Sequence, residues 1–301
     1  MNTPTVMTIS VCICTYKRPQ LLKRTLQELA KQDTKGRLTY SIVVADNDNQ
    51  HSAEPIIIAF RVVSSIETTY CVEPEQNIAL VRNKCLEYAK GDYVAFIDDD
   101  EFPATDWLVT LLSVCEAHGA DGVLGPVRPW FDQPPPRWLV RGRFCDRPEH
   151  VTGLWLHWRQ TRTGNVLFRR QILEGIQGPF RREFGNGGED QDFFRRMSQR
   201  GYRFVWCNEA VVYEVVPPDR WKRGYMWRRA LLRGQNERLF LNVRSIAKSI
   251  LAVPFYVMIL PFLLLLGQHL FMSYSIRLLD HIGKLLAVVG LRPLGNKYLE
   301  R

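Results

Sequence analysis

The sequence predicts an α/β fold with a mostly parallel sheet, because strand-like and helix-like segments alternate along its first hundred residues. Apolar runs bounded by polar turns indicate strands, and apolar residues at helical spacing indicate helices. Three polar clusters, at 15–18, 46–49 and 98–101, each follow a predicted strand. Parallel strands end at one edge of a sheet, and open α/β sheets bind ligands at that edge. The sequence therefore predicts a ligand site there.

The elements are predicted in close succession along the chain. The first helix has an apolar face formed by Leu21, Leu22, Leu26 and Leu29. The stretch from Gly125 to Arg147 is rich in Pro and Trp, which predicts an ordered but irregular loop. The predicted strands are 8–14, 40–45, 61–66, 93–97 and 164–168, and the predicted helices are 20–31 and 78–90, with further helices beginning at Trp107 and Glu189.

The composition is that of a folded protein. With 301 residues, 46% of them hydrophobic, the chain can bury one large core or two modest ones. Its seven cysteines form no CxxC pair, which predicts reduced, buried thiols in a cytosolic compartment. The first eight residues contain no Lys or Arg, so we expect no secretory signal and a catalytic part that stays in the cytoplasm.

The net charge of +9 is concentrated after residue 136 and admits three kinds of partner. Nucleic acid, anionic lipid headgroups and a phosphorylated substrate would all be attracted to it. Nucleic acid is disfavoured, because the apolar segment that follows the basic residues offers a membrane as the better partner.

A long uncharged segment near the C-terminus predicts membrane association. No Lys, Arg, Asp or Glu occurs between Ser249 and Ile276. Its inner part is near the length that a spanning helix needs, but Pro254 and Pro261 would each break or kink a helix. Basic residues flank both ends, so a re-entrant hairpin or an in-plane helix competes with a spanning helix and with a buried core helix. We expect a catalytic domain over 1–238 and a membrane-associated helical region over 239–301.

The run Asp98-Asp99-Asp100-Glu101 places four acids directly after the predicted strand at 93–97. Carboxylate oxygens at a strand end suit Mg²⁺ or Mn²⁺, which protein sites bind through one or two carboxylates together with substrate phosphates. The competing interpretation is a solvated turn or a helix cap.

A second acidic pair, Glu189 and Asp190, follows a glycine-rich turn at the start of a predicted helix. A helix N-terminus favours negative charge, and a general base must be ionised and close to the acceptor hydroxyl. The pair therefore predicts a general base, with simple helix capping as the alternative.

Together these motifs resemble the family 2 glycosyltransferases, which have the GT-A fold with a Rossmann-like sheet. The matching segments are Ser10–Pro19 for the opening strand and nucleotide loop, Asp46 after the second strand, Gln76–Asn83 for the "N..AARN" helix, Asp98–Asp100 for the DxD motif and Glu189–Asp192 for the ED motif. The resemblance covers residues 8–215. The C-terminal part is similar to enzymes of bacterial exopolysaccharide assembly of the succinoglycan type.

The resemblance implies a role for each matching residue. It implies nucleotide-sugar binding by Thr15, Arg18, Asp46, Asn77, Arg82, Asp98 and Asp99, metal coordination by Asp100, the general base at Asp190, and acceptor or supporting positions at Asn165, Glu189 and Glu214. Many relatives have a His where this chain has Glu214, so the resemblance does not carry a metal ligand to that position.

The chemistry implied is transfer of a sugar from a UDP-sugar with Mn²⁺ or Mg²⁺. A single base without a nucleophilic carboxylate predicts inversion, and the apolar tail predicts a saccharide acceptor, polyprenyl-linked, at the cytoplasmic face of a bacterial inner membrane. Two alternatives compete with it. A metal-dependent sugar nucleotidyltransferase would be expected to have a Gly-rich loop after its first strand, which Thr15–Pro19 lacks. A membrane-tethered binding protein for glycan or lipid would need neither acidic pair.

Overall fold

The computed structural model describes residues 6–185, 187–236 and 242–291, and the chain divides into two compact units. The first unit comprises the residues up to Arg128 together with Arg147–Glu214. The second comprises Pro129–Asp146 and the residues from Val215 onward.

The first unit is built on a seven-stranded sheet with the strand order β3-β2-β1-β4-β8-β6-β9. Its strands are β1 (Met7–Thr15), β2 (Leu38–Asp46), β3 (Thr68–Val72), β4 (Tyr93–Phe96), β6 (Gly122–Leu124), β8 (Val166–Arg169) and β9 (Phe204–Trp206). Strand β1 lies parallel to β2 and β4, β2 to β3, and β6 to β9, whereas β8 runs antiparallel to β4 and β6. The predicted α/β fold with a mostly parallel sheet is confirmed.

Apolar layers cover both faces of this sheet, because successive strand residues point to opposite faces. The helices of this unit are α1 (Pro19–Leu29), α2 (Glu54–Val63), α3 (Ile78–Tyr88), α4 (Trp107–Ala117) and α6 (Glu189–Gln199). Ile9, Val11 and Ile13 of β1 share one buried cluster with residues of α1, α2 and α4. Cys12 shares the other cluster with residues of α3 and α6, including Phe193.

The prediction of a strand at 61–66 is wrong. Residues 61–63 end helix α2, and the strand at this position in the fold is β3, at 68–72. In α2, Ile57 and Phe60 are buried while Val62 and Val63 are exposed. Packing of one helical face against the sheet therefore outweighs the strand preference of the β-branched residues at the helix end.

The stretch at 125–147 has more regular structure than its composition predicted. It contains β7 (Val127–Trp130) and the short helix α5 (Arg137–Arg141). The remaining strands are β5 (Glu101–Pro103) and β10 (Val212–Val215), which pair antiparallel with Glu214 opposite Glu101. This small pairing carries two glutamates of the site described below.

The second unit is helical and contains α7 (Arg223–Asn236), α8 (Val243–Leu266) and α9 (Gln268–Val288). Pro254 and Pro261 were predicted to break or kink a helix. They lie inside α8 without ending it, so they do not break it, although each removes one backbone N–H donor. The helix ends at Gly267, whose φ of +146° few other residues adopt. By length and composition, α8 is the one described helix that could cross a membrane, and 6% of its apolar window is buried.

Helices α7 and α9 pack closely through glycine. A Cβ atom added at Gly283 would lie 2.3 Å from the backbone oxygen of Leu231. Arg233 forms a bidentate ion pair with Asp280, with N···O distances of 2.9 and 2.5 Å. Five of the seven cysteines are buried as predicted, whereas Cys14 and Cys145 are only partly buried.

Candidate functional site

The carboxyl edge of the sheet brings the end of β1 next to the acidic run. Thr15 ends β1 and lies opposite Asp46 at the end of β2, and β4 on the other side of β1 leads into the acids. The Thr15 hydroxyl donates a 2.8 Å hydrogen bond to Asp99 Oδ2. The predicted meeting of polar clusters at this edge is thus observed.

The loop after β1 supplies a cation to the acids. Arg18 Nη1 lies 3.1 Å from Asp99 Oδ1 and 3.3 Å from Asp100 Oδ2. From α1, the hydroxyl of Thr25 donates to the backbone oxygens of Asp99 and Glu101, at 3.0 and 2.6 Å, and so fixes the acidic turn. Burial raises the pKa of Asp99 to about 6, with Arg18 lowering it and Asp100 raising it.

Asp46 is fully buried, and hydrogen bonds within the protein engage both its oxygens. Oδ1 accepts from the backbone N–H of Asp48 at 3.0 Å, and Oδ2 accepts from the N–H of Ala53 at 2.8 Å and the hydroxyl of Tyr70 at 3.0 Å. Burial raises the pKa of Asp46, and these three hydrogen bonds oppose that rise. Asp46 therefore organises the turn after β2 at the edge where a nucleoside contact was predicted.

Helix α3 carries two of the predicted donor-binding residues. The Asn77 side chain caps the helix by accepting from the N–H groups of Ala79 and Leu80, at 3.0 and 3.2 Å. Arg82, on the next turns, is buried, forms an ion pair with Glu189, and has Nη2 3.8 Å from Asp98 Oδ1. Arg82 thus joins the two acidic motifs.

The two acids at the start of helix α6, Glu189 and Asp190, differ in how deeply they are buried. The helix starts after Gly187 and Gly188, whose φ values of +118° and +91° favour glycine; the neighbouring Asn186 lies outside the described residues. Glu189 is buried against Arg82, and its Oε2 has no hydrogen-bond partner among the described residues. Asp190 is partly exposed, and its Oδ1 accepts from the N–H of Gln191 at 2.7 Å. The pair divides into a structural Glu189 and a more accessible Asp190.

Glu101, the last residue of the acidic run, lies opposite Glu214 on the paired strands β5 and β10. Arg147 donates to Glu214. Glu101 is 1% exposed; its Oε2 accepts from the N–H of Asp98 at 3.1 Å, whereas no described residue hydrogen-bonds its Oε1. Burial, reinforced by the charge of Asp98, raises the pKa of Glu101 well above its ordinary value.

Burial lowers the pKa of Arg147, but the carboxylates of Glu214, Glu101 and Asp98 raise it further, so the guanidinium is firmly charged. Neither Glu101 nor Arg147 was assigned a role from the sequence. The place of Glu101 in the acidic run was a usable signal, whereas nothing in the local sequence marked Arg147.

Asn165 is fully buried and supports the loop before β8. Its Oδ1 accepts from Trp107 Nε1 at 2.7 Å, and its Nδ2 donates to the backbone oxygens of Pro126 and Ala210, both at 2.8 Å. Its backbone φ is +56°, in the left-handed region. The resemblance implied either an acceptor-binding or a supporting position for Asn165. These contacts are those of a supporting residue, and its role stays a prediction.

The residues at this edge fit a divalent cation that a substrate completes. In the described part of the chain, no group of three His, Cys, Asp or Glu side chains could hold a metal by itself. Mg²⁺ and Mn²⁺ are commonly held by one or two carboxylates and substrate phosphates, which needs fewer protein ligands. Asp98 keeps 42% of its side chain exposed beside Asp100, and Glu101 Oε1 is an unsatisfied buried acceptor nearby.

Comparison with known proteins now identifies the family. A family model described as glycosyl transferase family 2 matches residues 10–181. The chain belongs to glycosyl transferase family 2. It is 37% identical over 242 residues to the succinoglycan biosynthesis protein ExoM of Rhizobium meliloti (strain 1021), and the match covers 79% of this chain and 76% of that protein. This family 2 protein is therefore an enzyme of the glycosyltransferase class, as predicted.

Solved structures agree on the GT-A fold. The chain is similar to S. aureus TarS in complex with UDP-GlcNAc, with a TM-score of 0.54 and 16% identity, covering 95% of this chain and 93% of that one. It is also similar to the mannosyltransferase PcManGT of Pyrobaculum calidifontis in complex with GDP-Man and Mn²⁺, with a TM-score of 0.56 and 18% identity over 96% and 76% of the two chains. The predicted family and fold are confirmed, and the residue roles stay predictions.

Proposed function

We propose that this protein is an inverting, metal-dependent glycosyltransferase that moves a sugar from a UDP-sugar to a saccharide acceptor carried on a polyprenyl lipid, in exopolysaccharide or other cell-surface glycan synthesis. One observation carries the proposal: Arg82 contacts both Asp98 of the acidic run and Glu189 of the second acidic pair. Its link to polysaccharide synthesis rests on the similarity to the succinoglycan biosynthesis protein.

The donor is bound along the carboxyl edge of the sheet. Thr15, Arg18 and Asp46 lie on the nucleoside side, and Arg82 lies on the side of the diphosphate and sugar. Arg18 is partly exposed and pairs with Asp99 and Asp100.

Asp100, with Asp98 beside it, would hold Mn²⁺ or Mg²⁺. When bound, such a cation would supply positive charge against the departing diphosphate. Arg82 adds a fixed positive charge that is buried and held by Glu189, so it needs little reorganisation during the reaction.

Asp190 acts as the general base. Its partial exposure allows an acceptor hydroxyl to approach, whereas Glu189 is occupied by Arg82. A single base leads to in-line displacement by the acceptor oxygen, with the proton passing to the Asp190 carboxylate and UDP leaving on the opposite side. An α-linked UDP-sugar therefore gives a β-glycoside.

Two variants test these roles separately. Asp190→Asn should leave UDP binding nearly unchanged and lower sugar transfer by about 10²-fold or more, as expected when a general base is lost. Asp100→Ala should abolish metal-stimulated transfer, and excess EDTA should do the same to the unmodified protein. Asp33→Asn, at an exposed carboxylate after α1, serves as the matched control. Collapse of UDP affinity in Asp190→Asn would assign Asp190 to the donor, and full turnover in EDTA would exclude a metal-dependent mechanism.

The second unit places the enzyme at the membrane. Helix α8 is apolar over most of its length, and many of its large side chains, such as Phe255, Phe262 and Leu265, are exposed. Exposed apolar area of this extent is typical of a membrane-contacting surface. We infer association with the cytoplasmic leaflet of the bacterial inner membrane, where a polyprenyl-linked acceptor is found.

A further inference from the structure

Two nitrogen atoms of the Arg162 guanidinium have no hydrogen-bond acceptor among the described residues. Arg162 lies in the segment before β8. Its Nε and Nη2 atoms are shielded from water, and no described residue accepts a hydrogen bond from either of them. The ring of Trp206, 6.0 Å from Arg162 Cζ, is at the outer limit of a cation–π contact. These two nitrogens therefore lose their hydrogen bonds to water and gain none from the protein.

Burial and the neighbouring charges together shift the pKa of Arg162. Burial lowers the pKa of Arg162 to about 10, and the positive charge of Arg147 acts in the same direction. The carboxylates of Glu101, Glu214 and Asp190 oppose this shift without restoring the ordinary value. A guanidinium whose shielded N–H groups have no acceptor destabilises a folded protein unless an anion joins it. Such a residue is better explained by a ligand than by the stability of the ligand-free protein.

The unsatisfied atoms are suited to one kind of group. Nε and Nη2 form one edge of the planar guanidinium, with two roughly parallel N–H donors, and a carboxylate or phosphate accepts from such an edge through two oxygens. Neighbouring sugar hydroxyls can also accept from such an edge, but they bring no negative charge to the guanidinium. The edge thus favours an oxyanion.

The segment also lies at the sugar-binding end of the site. A Cβ atom added at Gly164, two residues after Arg162, would lie 3.0 Å from Glu101 Oε1 and 3.3 Å from Asp98 Oδ2. These distances are tighter than an ordinary van der Waals contact, so the backbone of this segment lies against the two carboxylates. Asp190, the proposed base, is among the charges that act on Arg162. The nucleoside side of the edge, at Thr15 and Asp46, is formed by other strands.

We propose that Arg162 is a specificity-determining residue that binds an oxyanion on the acceptor, either the carboxylate of a uronic acid or a phosphate of the lipid carrier. The proposal rests on the proposed function in one respect, because it takes the side of Asp190 as the acceptor side. Part of the Arg162 side chain stays accessible, and the oxyanion would reach the guanidinium from that side.

Thermal unfolding of the ligand-free protein gives the first test and does not depend on catalysis. Arg162→Met removes the unpaired charge and keeps much of the side-chain volume, so its Tm should rise by a few degrees relative to the unmodified chain. Arg200→Met, at an exposed arginine that follows α6, should leave Tm nearly unchanged. A lower Tm for Arg162→Met would show that Arg162 stabilises the fold and would overturn the proposal.

Binding gives the second test, carried out without a sugar donor so that no turnover occurs. The probes are octyl glucoside, octyl glucuronide and a short polyprenyl diphosphate glucose. Arg162→Gln should weaken binding of at least one anionic probe by about 10-fold to 100-fold, as expected for loss of a charged hydrogen-bonding pair, and leave octyl glucoside unaffected. An effect on the glucuronide alone identifies a uronate, and an effect on the diphosphate probe alone identifies the carrier.

Two results would contradict the assignment. Equal weakening of all three probes would mean that Arg162 recognises no oxyanion, and weaker binding of UDP itself would move Arg162 to the donor diphosphate. Failure of the proposed function is recognised separately, because it appears as sugar transfer that Asp190→Asn does not reduce, whereas probe binding and Tm report on Arg162 alone.

Discussion

Replacement of Asn165 separates a supporting role from an acceptor-binding role. Its side chain makes three buried hydrogen bonds, to Trp107 Nε1 and to the backbone oxygens of Pro126 and Ala210. These contacts connect helix α4, the residues between β6 and β7, and the turn before β10. We expect Asn165→Gly to destabilise the protein before it affects the chemistry.

The magnitude follows from the number of bonds and the backbone angle. Each buried hydrogen bond contributes roughly 1 kcal/mol, so Asn165→Gly should lower the free energy of unfolding by about 3 kcal/mol. Asn165→Ala loses the same bonds and must also hold a φ of +56°, which costs an alanine roughly 1 kcal/mol more than a glycine. The expected order of stability is therefore the unmodified protein, then the glycine variant, then the alanine variant.

Urea unfolding of the full chain in mild detergent measures these differences. The midpoint should fall with an unchanged slope if only the folded state is affected. UDP affinity of the folded variants should stay close to that of the unmodified protein. Unchanged stability of Asn165→Gly, together with lost transfer, would show that Asn165 acts on the acceptor and that the three hydrogen bonds do not control its role.

Two further predictions concern the acids and the tail. The folded-state pKa of Asp99, about 6, lies above the ordinary 3.8, so the donor-free folded protein binds more protons than the unfolded chain between about pH 4 and 6 and gains stability as the pH falls through that window. Asp99→Asn should flatten this part of the stability profile, measured by thermal unfolding, and an unaltered profile would assign the proton to another group. High salt should loosen the enzyme from isolated membranes without releasing it, because buried apolar area contributes more than the roughly 1 kcal/mol of each basic residue at an anionic surface. Complete release by salt would show that α8 does not enter the membrane.

Local sequence was sufficient for the parts of the fold that repeat a simple pattern. Alternation of apolar strands and amphipathic helices predicted the parallel sheet, and the site edge followed, because parallel strands that share a sheet end on the same side. Thr15, Asp46 and the acidic run could therefore be assigned to one edge of the sheet from the sequence alone. The error at 61–66 arose where the local preference was ambiguous and packing of Ile57 and Phe60 decided for a helix.

The tertiary structure decided which side chains pair across that edge. Arg82 reaches Glu189, and Glu101 lies opposite Glu214, although these residues are far apart in the chain. It also showed that hydrogen bonds inside the protein already engage Asp46 and Asn165. Among the described residues, no acceptor pairs with Nε or Nη2 of Arg162. The physical reason is that a charge or a hydrogen-bonding group is satisfied by whatever distant segment packs against it. The sequence specifies the chemical groups, and only the packed structure specifies their partners.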